Sequence, residues 1–217
     1  MIDGLRFEPK YHSYFYQDRL VPSVSRIVKG AGLGADYSAI PPAVLEKARR
    51  RGVYAHTICE ATDRGELVEV PDEFVGLAQS YTTFLATTQF TPHATEEPLV
   101  HLDYFYAGTP DVWGDLQGAH AVVDRKAVAK MDESYALQLT AYAVLVEHRT
   151  GRAVDALYGL HLQRNGSIAR LIDYTPLRGE AWATFRAALE LYHNPNSPEI
   201  ETAKEQIAQW RAQHMKG

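Results

Sequence analysis

The sequence predicts an α/β fold in which a central mixed β-sheet is flanked by helices. Apolar residues recur at helical spacing before residue 90 and again over 132–149. Short apolar runs bounded by turn residues, which are typical of strands, lie between and after these helices. Five strands are predicted, near 94–103, 104–113, 119–127, 154–163 and 167–174. This alternation of helices and strands is the order found in α/β layers.

The N-terminal segment predicts a small hairpin and a short helix. Aromatic and polar residues alternate over 5–21 around a turn at Gln17-Asp18-Arg19. Pro22-Ser23 then offers a helix start, and the glycine-rich segment 30–36 predicts a loop. The longer helices are predicted at 42–65, 74–85, 132–149, 176–193 and 198–214.

A break near residue 195 divides the chain. Residues 194–198 are Asn-Pro-Asn-Ser-Pro, a run of turn-forming residues. We therefore expect one domain over 1–195, which includes the hairpin of residues 1–22, and a C-terminal helical extension over 196–217.

The composition is that of a globular chain, since 46% of the residues are hydrophobic and 23% are charged. No run of about 18 apolar residues is present, so the sequence predicts no membrane span. Residues 1–17 lack the basic and apolar regions of a secretory signal. We expect a cytoplasmic protein, either bacterial or, if the chain is phage-encoded, in the host cytoplasm.

Cysteine content and charge restrict the chemistry further. Cys59 is the only cysteine, which excludes an internal disulfide and any four-cysteine zinc or iron–sulfur site. The net charge is −5, whereas a protein that grips DNA through a broad basic face is usually positive. Contact with DNA would therefore depend on local basic patches and on bound metal.

Acidic residues beside apolar strand runs form the centre of the functional prediction. Asp111 and Asp124 each adjoin such a run. Because strand side chains alternate with period two, Asp124 and Lys126 face one side while Arg125 faces the other. A hard divalent cation prefers carboxylate oxygens and water, and it lowers the pKa of a bound water. A nearby lysine orients that water or stabilises charge on a phosphate, so the grouping suits phosphodiester cleavage.

Two helical pairs fit the same site. His56 and Glu60 are four residues apart on the helix predicted at 42–65, and Gln138 and Tyr142 are four apart on the helix after the Asp124 strand. Residues at this spacing share a helix face. Both pairs can close around a site at the end of the sheet.

These motifs together resemble one nuclease family. The series is Gly52-x-x-x-His56, Gly108-Thr109-x-Asp111, Asp124-x-Lys126 and Gln138-x-x-x-Tyr142. In this order it resembles the RecB-type branch of the PD-(D/E)XK nucleases, and within it the small phage-type and CRISPR-adaptation-type exonucleases. Val21-Pro22-Ser23-Val24-Ser25 resembles a segment near their N-termini. The resemblance implies a restriction-endonuclease-like core and spans roughly residues 12–175.

The resemblance implies the metal ligands and the ion. His56, Asp111 and Asp124 would bind Mg²⁺ or Mn²⁺, and the backbone carbonyl of Arg125 would complete the shell. Many relatives also carry a glutamate before the Asp111 strands. Here Glu97 is the choice for that supporting position, with Glu96 close behind.

The resemblance also implies the catalytic groups. Lys126 would be the catalytic lysine beside Asp111 and Asp124, and Gln138 with Tyr142 would position the lysine or the scissile phosphate. Glu60 would support a metal ligand through a hydrogen bond; an exposed helix acid is the alternative.

Two departures from the family pattern stand out. Many relatives have threonine after the lysine, where this chain has Ala127. Several relatives carry an iron–sulfur cluster bound by four cysteines, and a single cysteine leaves no such cluster here.

Basic residues near these motifs are the candidate DNA contacts. Arg49 and Arg51 precede the His56 turn, and Lys130 follows the Lys126 strand. The histidines in or beside strands have no ligand spacing among them, so we expect them to serve packing or the surface. They are His93, His101, His120 and His161.

The sequence thus predicts a Mg²⁺- or Mn²⁺-dependent deoxyribonuclease, an exonuclease that acts in recombination, repair or phage DNA processing. A structure- or sequence-specific endonuclease on the same core and an inactive nucleic-acid-binding module are the alternatives. The expected partners are DNA and either further copies of the chain or a recombination or single-strand annealing protein.

Overall fold

The computed structural model describes residues 2–34 and 40–215 and confirms an α/β fold with a mixed central sheet flanked by helices. The elements in chain order are β1 Leu5–Glu8, β2 Ser13–Tyr16, β3 Arg19–Val21, α1 Val24–Gly30, α2 Pro42–Asp63, α3 Val75–Thr88, β4 Thr91–Thr95, β5 Leu99–His101, β6 Tyr106–Gly108, β7 Val112–Leu116, β8 Ala119–Lys126, α4 Tyr135–Thr150, β9 Ala156–His161, β10 Arg170–Asp173, α5 Arg178–His193 and α6 Ile200–His214. Part of the loop predicted at 30–36 lies outside the described residues.

The central sheet has five strands in the order β10-β9-β8-β7-β4. Strands β8 and β9 run parallel and are joined by α4, while the other neighbours are antiparallel. Strand β8 lies in the middle and is buried over nearly its whole length, which explains its continuous apolar run. Its C-terminal end carries Asp124 and Lys126.

The predicted strands at 94–103 and 104–113 were wrong as continuous elements. The structure divides each in two, giving β4 and β5 from the first and β6 and β7 from the second. Glu96 adopts a positive φ of 50° just after β4, and Phe105 one of 49° just before β6. Pro110 then separates β6 from β7, because proline cannot donate to a strand ladder. Strands β5 and β6 leave the central sheet and pair with each other.

The N-terminal hairpin is part of a three-stranded sheet. The predicted turn is confirmed, since Gln17 and Asp18 both take a positive φ between β2 and β3, as a two-residue hairpin turn requires. Strand β1 adds a third strand on β2. Ser23 caps α1 as predicted and accepts a hydrogen bond from the Arg26 N–H at 3.1 Å.

Helices cover both faces of the sheet. Helices α2 and α3 pack on one face against Val123 and its neighbours, and α4 packs on the other against Val122. Helix α6, predicted to belong to an extension, packs on α5 and buries Trp210 completely. His214 joins Glu133 and Glu180 at 2.7 and 3.1 Å, so α6 shares the same core. Among the described residues, no helix has the length and apolar character needed to cross a bilayer.

Candidate metal centre

The end of β8 presents an acid and a lysine on one face. The Lys126 Nζ lies 2.6 Å from the Asp124 Oδ2, and the two side chains are 16% and 1% exposed. The Lys126 ammonium also lies 5.2 Å from the ring centroid of Tyr135. The alternation expected from the strand period places the Arg125 side chain on the opposite face, where it is fully buried.

Asp111 lies beside Asp124 because β7 runs antiparallel to β8. Val112 pairs with Val123, which brings the residue before β7 next to the end of β8. The Asp111 Oδ2 accepts a hydrogen bond of 2.6 Å from the backbone N–H of Arg125. This bond fixes one carboxylate oxygen and leaves Oδ1 directed at His56, whose Nδ1 lies 3.6 Å away.

His56, Glu96 and Asp111 form a group whose potential ligand atoms all lie within 4.8 Å of one another. The Glu96 Oε1 lies 3.3 Å from the His56 Nδ1, and the Glu96 N–H donates to the Asp111 carbonyl at 3.0 Å. Three separate segments, α2, the end of β4 and the start of β7, therefore converge on one point. Asp124 adjoins this group.

Glu96, and not Glu97, lies in this group. Glu97 lies 3.4 Å from the Arg149 Nε in a partly exposed ion pair. The positive φ at Glu96 reorients the chain after β4, so the simple strand alternation that would separate the two glutamates does not apply.

The carboxylates change the pKa values of their neighbours. Asp111, with help from Glu96, raises the pKa of His56 to about 9 despite the opposing effect of burial. Burial raises the pKa of Asp124 to about 6, although Lys126 opposes it. Burial would also raise the pKa of Asp111, but the charges of His56 and Lys126 outweigh it and the pKa falls. The carboxylates therefore stabilise a positive charge that lies among them.

The donor set fits a divalent cation. The Asp124 Oδ1 is buried, and it accepts no hydrogen bond from the residues that the structure describes. Buried carboxylate oxygens without a partner are costly, and a bound cation would remove that cost. Carboxylates and one imidazole suit Mg²⁺ or Mn²⁺ better than a soft ion. No described contact tests the predicted role of the Arg125 carbonyl, which stays a prediction.

Gln138 and Tyr142 pair as their spacing predicts. The Gln138 Nε2 donates to the Tyr142 Oη at 2.9 Å, and the tyrosine is buried. Its ring lies against Gly108, where an added Cβ would come within 2.7 Å of the ring. Burial raises the pKa of Tyr142 well above its ordinary range, and the negative charges of Asp111 and Asp124 add to this effect. The hydroxyl therefore stays protonated at neutral pH.

No sequence pattern places Tyr14 at this site. Its hydroxyl lies 2.7 Å from the Thr109 Oγ1, and the side chain is fully buried. The pair ties the N-terminal sheet to the segment that leads into Asp111. Ser23 forms a bridge with Ala107 in the same segment. A contact between residues 95 positions apart has no local pattern by which to find it.

Asp63 was also missed, and it is the partner of Arg125. The Arg125 Nη1 lies 2.8 Å from the Asp63 Oδ2, with side-chain exposures of 0% and 2%. Tyr81 and Thr95 donate further hydrogen bonds to the same carboxylate at 2.5 and 2.8 Å. Arg125 thus joins α2 and α3 to the sheet directly beneath the candidate metal centre.

The remaining predicted residues have other contacts in the structure. Glu60 pairs with Arg64 at 2.7 Å, and its side chain is 30% exposed; its predicted supporting role stays a prediction. Arg51 donates from Nε to the Ala127 carbonyl at 2.6 Å, directly after Lys126. Arg49 is mostly exposed and lies 3.8 Å from Glu46, and Lys130 is exposed.

The chain matches no protein-family model and no curated protein at significant similarity. The fold and the site therefore rest on the residues and their geometry.

Replacement of Arg125 by methionine is expected to lower the free energy of unfolding by about 3–5 kcal/mol, because it leaves the Asp63 carboxylate buried without its counter-charge. Arg152→Met removes an exposed pair with Asp115 at 3.0 Å and is expected to cost under about 1 kcal/mol. Urea unfolding of the two variants measures the difference. Equal losses would contradict a structural role for Arg125.

Proposed function

We propose that this protein is a metal-dependent DNA nuclease with a restriction-endonuclease-like core. One observation carries the proposal. The acids Glu96, Asp111 and Asp124 converge with His56 and Lys126 from four chain segments, and the Asp124 Oδ1 among them is buried without a partner. A divalent cation would give that oxygen a partner.

The residues present divide the work of phosphodiester hydrolysis among them. His56, Glu96, Asp111 and Asp124 would hold Mg²⁺ or Mn²⁺, which supplies polarisation of the phosphate and a lower pKa for an attacking water. Lys126 keeps its proton, because the carboxylates of Asp124 and Asp111 raise its pKa despite burial. A lysine held in its charged form stabilises negative charge on the phosphoryl oxygens and is a poor general base.

Gln138 and Tyr142 act as positioning groups in this proposal. Their hydrogen bond orients the Gln138 amide at the edge of the site, and the protonated Tyr142 hydroxyl can still donate. The tyrosine packs on Gly108, three residues before Asp111, so the pair also fixes the approach to the metal ligand.

A local basic patch supports binding of DNA despite the net charge of −5. The pKa of Arg51 is lowered by burial and by the nearby positive charge of Arg164. The like charges of Arg51 and Arg164 repel each other, and an anionic phosphate would relieve that repulsion. The patch lies where Arg51 contacts Ala127, at the exit of β8.

Replacement of Asp124 by asparagine or Lys126 by methionine is expected to lower the rate of Mg²⁺-dependent hydrolysis of linear DNA by about 100-fold or more. Asp115→Asn is the matched control, since this acid lies on β7 but pairs with Arg152 and His93 away from the site. End-labelled DNA resolved on a gel measures the rates, with circular dichroism as the check on folding.

The proposal is wrong if the two site variants degrade linear DNA at the wild-type rate. Closed circular DNA in the same assay separates the two kinds of nuclease. We propose an exonuclease, which leaves the circle intact, whereas nicking of the circle would indicate an endonuclease on the same core.

The absence of a side chain at Gly52 supports the proposal that the substrate crosses α2 there. It lies one turn before His56, and a Cβ added there would meet no atom within 4 Å. Packing therefore does not require a glycine, yet glycine inside a helix costs about 1 kcal/mol relative to alanine. Helical side chains lean toward the N-terminus, so the His56 ring lies over the turn that contains Gly52. We propose that the missing side chain leaves room for the DNA backbone beside the metal ligand.

Gly52→Ala and Gly52→Gln are expected to raise the melting temperature yet slow DNA hydrolysis, by about 10-fold or more for glutamine, because a shift of about 1 Å at a reacting centre costs up to about 100-fold. Gly179→Ala and Gly179→Gln are the matched controls. Gly179 is exposed near the start of α5, and a Cβ added there would also meet no atom within 4 Å. Unchanged hydrolysis by both Gly52 variants would show that the substrate does not pass there.

A further inference from the structure

A second group of metal-ligand side chains lies apart from the carboxylate site. It consists of His101 at the end of β5, Asp103 in the following turn and His148 in the last turn of α4. One potential ligand atom from each lies within 4.8 Å of the others. The imidazole rings of His101 and His148 stack with centroids 4.1 Å apart and planes 24° apart.

The surrounding rings hold His101 in place. It is 7% exposed, and it lies against Tyr104 and Tyr106 at centroid distances of 4.7 and 5.9 Å. Its Nδ1 accepts only a long hydrogen bond, 3.4 Å, from the Tyr104 N–H. An ion that took this nitrogen would displace a weak contact. A ring already fixed by packing loses little entropy on binding an ion.

Solvent can reach the other two ligands. Asp103 and His148 are both exposed, so an ion can enter without a rearrangement of the core. His148 lies in the last turn of α4, where the helix dipole favours positive charge. The Asp103 carboxylate supplies the one formal negative charge of the group.

The donor types select a different ion from that of the carboxylate site. Two imidazoles and one carboxylate are the ligands of borderline ions such as Zn²⁺, whereas Mg²⁺ prefers oxygen ligands and retained waters. Three protein ligands leave a fourth position of a tetrahedral zinc ion for water. We propose that His101, Asp103 and His148 bind one Zn²⁺ ion, independently of the proposed nuclease site.

Binding at this site would cross-link two parts of the fold. His101 and His148 are 47 residues apart and belong to a strand and a helix that pack together. An ion that binds only the folded chain raises its stability by mass action. The site would therefore fix the C-terminal turn of α4 against the turn after β5.

Calorimetric titration of the full chain with Zn²⁺ tests the proposal, and the Asp124→Asn variant titrated in parallel identifies any Zn²⁺ bound at the carboxylate site. The wild type is expected to bind one Zn²⁺ that Asp124→Asn retains, and to melt at a higher temperature with it. His148→Ala and Asp103→Asn are each expected to weaken this binding by at least about 100-fold, since even loss of a ligand's outer partner costs about 10- to 100-fold.

His193→Ala removes an exposed histidine outside the group and is expected to leave the titration unchanged. Circular dichroism establishes that the variants are folded. The proposal is overturned if the wild type, His148→Ala and Asp103→Asn bind Zn²⁺ with equal affinity. It is also overturned if the wild type shows no binding at about 100 μM Zn²⁺, which corresponds to a binding free energy weaker than about −5.5 kcal/mol. DNA hydrolysis plays no part in this readout, so either proposal can fail without the other.

Discussion

The buried guanidinium of Arg125 is the constraint on which the rest of the structure depends. It lies beneath the sheet, contacts Asp63 at the end of α2 and lies 5.4 Å from the ring centroid of Tyr81 on α3. The backbone N–H of the same residue orients the Asp111 carboxylate. One residue therefore sets both the distance of the helices from the sheet and the direction of a carboxylate in the site. Because strand side chains alternate, the burial of Arg125 also requires that Asp124 and Lys126 face the other side.

The site is built where separate layers of the fold meet. Segment 107–111 is held from one side by Tyr14 of the N-terminal sheet and from another by Tyr142 of α4. The result is a rigid approach to Asp111, which a metal site needs if its ligands are to keep their geometry. Three acids, Glu96, Asp111 and Asp124, then lie close to His56 and Lys126. Without a metal ion, the imidazolium of His56, favoured by Asp111 and Glu96, supplies part of the positive charge that the carboxylates require, and a bound ion would displace its proton.

Local patterns were enough to predict some of this arrangement. The strand period placed Asp124 and Lys126 on one face, and the helical spacing of four residues predicted the Gln138–Tyr142 pair. The choice between Glu96 and Glu97 could not be made this way, because it depends on one backbone dihedral after β4. The same kind of irregularity divided two predicted strands into four.

Long-range contacts were beyond the reach of sequence spacing. Asp63 and Arg125 are 62 residues apart, and Tyr14 and Thr109 are 95 apart. His101 was expected to serve packing or the surface. Its ring stacks on His148, which lies on a helix, whereas ligand spacing was considered only among histidines in or beside strands. Such pairs are set by how helices and strands pack, which depends on the whole core.

Diffraction from crystals soaked in Mn²⁺ tests the central claim most directly. The claim predicts an anomalous-scattering peak bounded by His56, Glu96 and Asp111, with the Asp124 Oδ1 as a further ligand at about 2.0–2.2 Å. The peak should vanish in crystals of the Asp124→Asn variant or lose most of its height. A well-ordered site with no peak in Mn²⁺-soaked wild-type crystals would contradict the claim that these side chains form a metal centre.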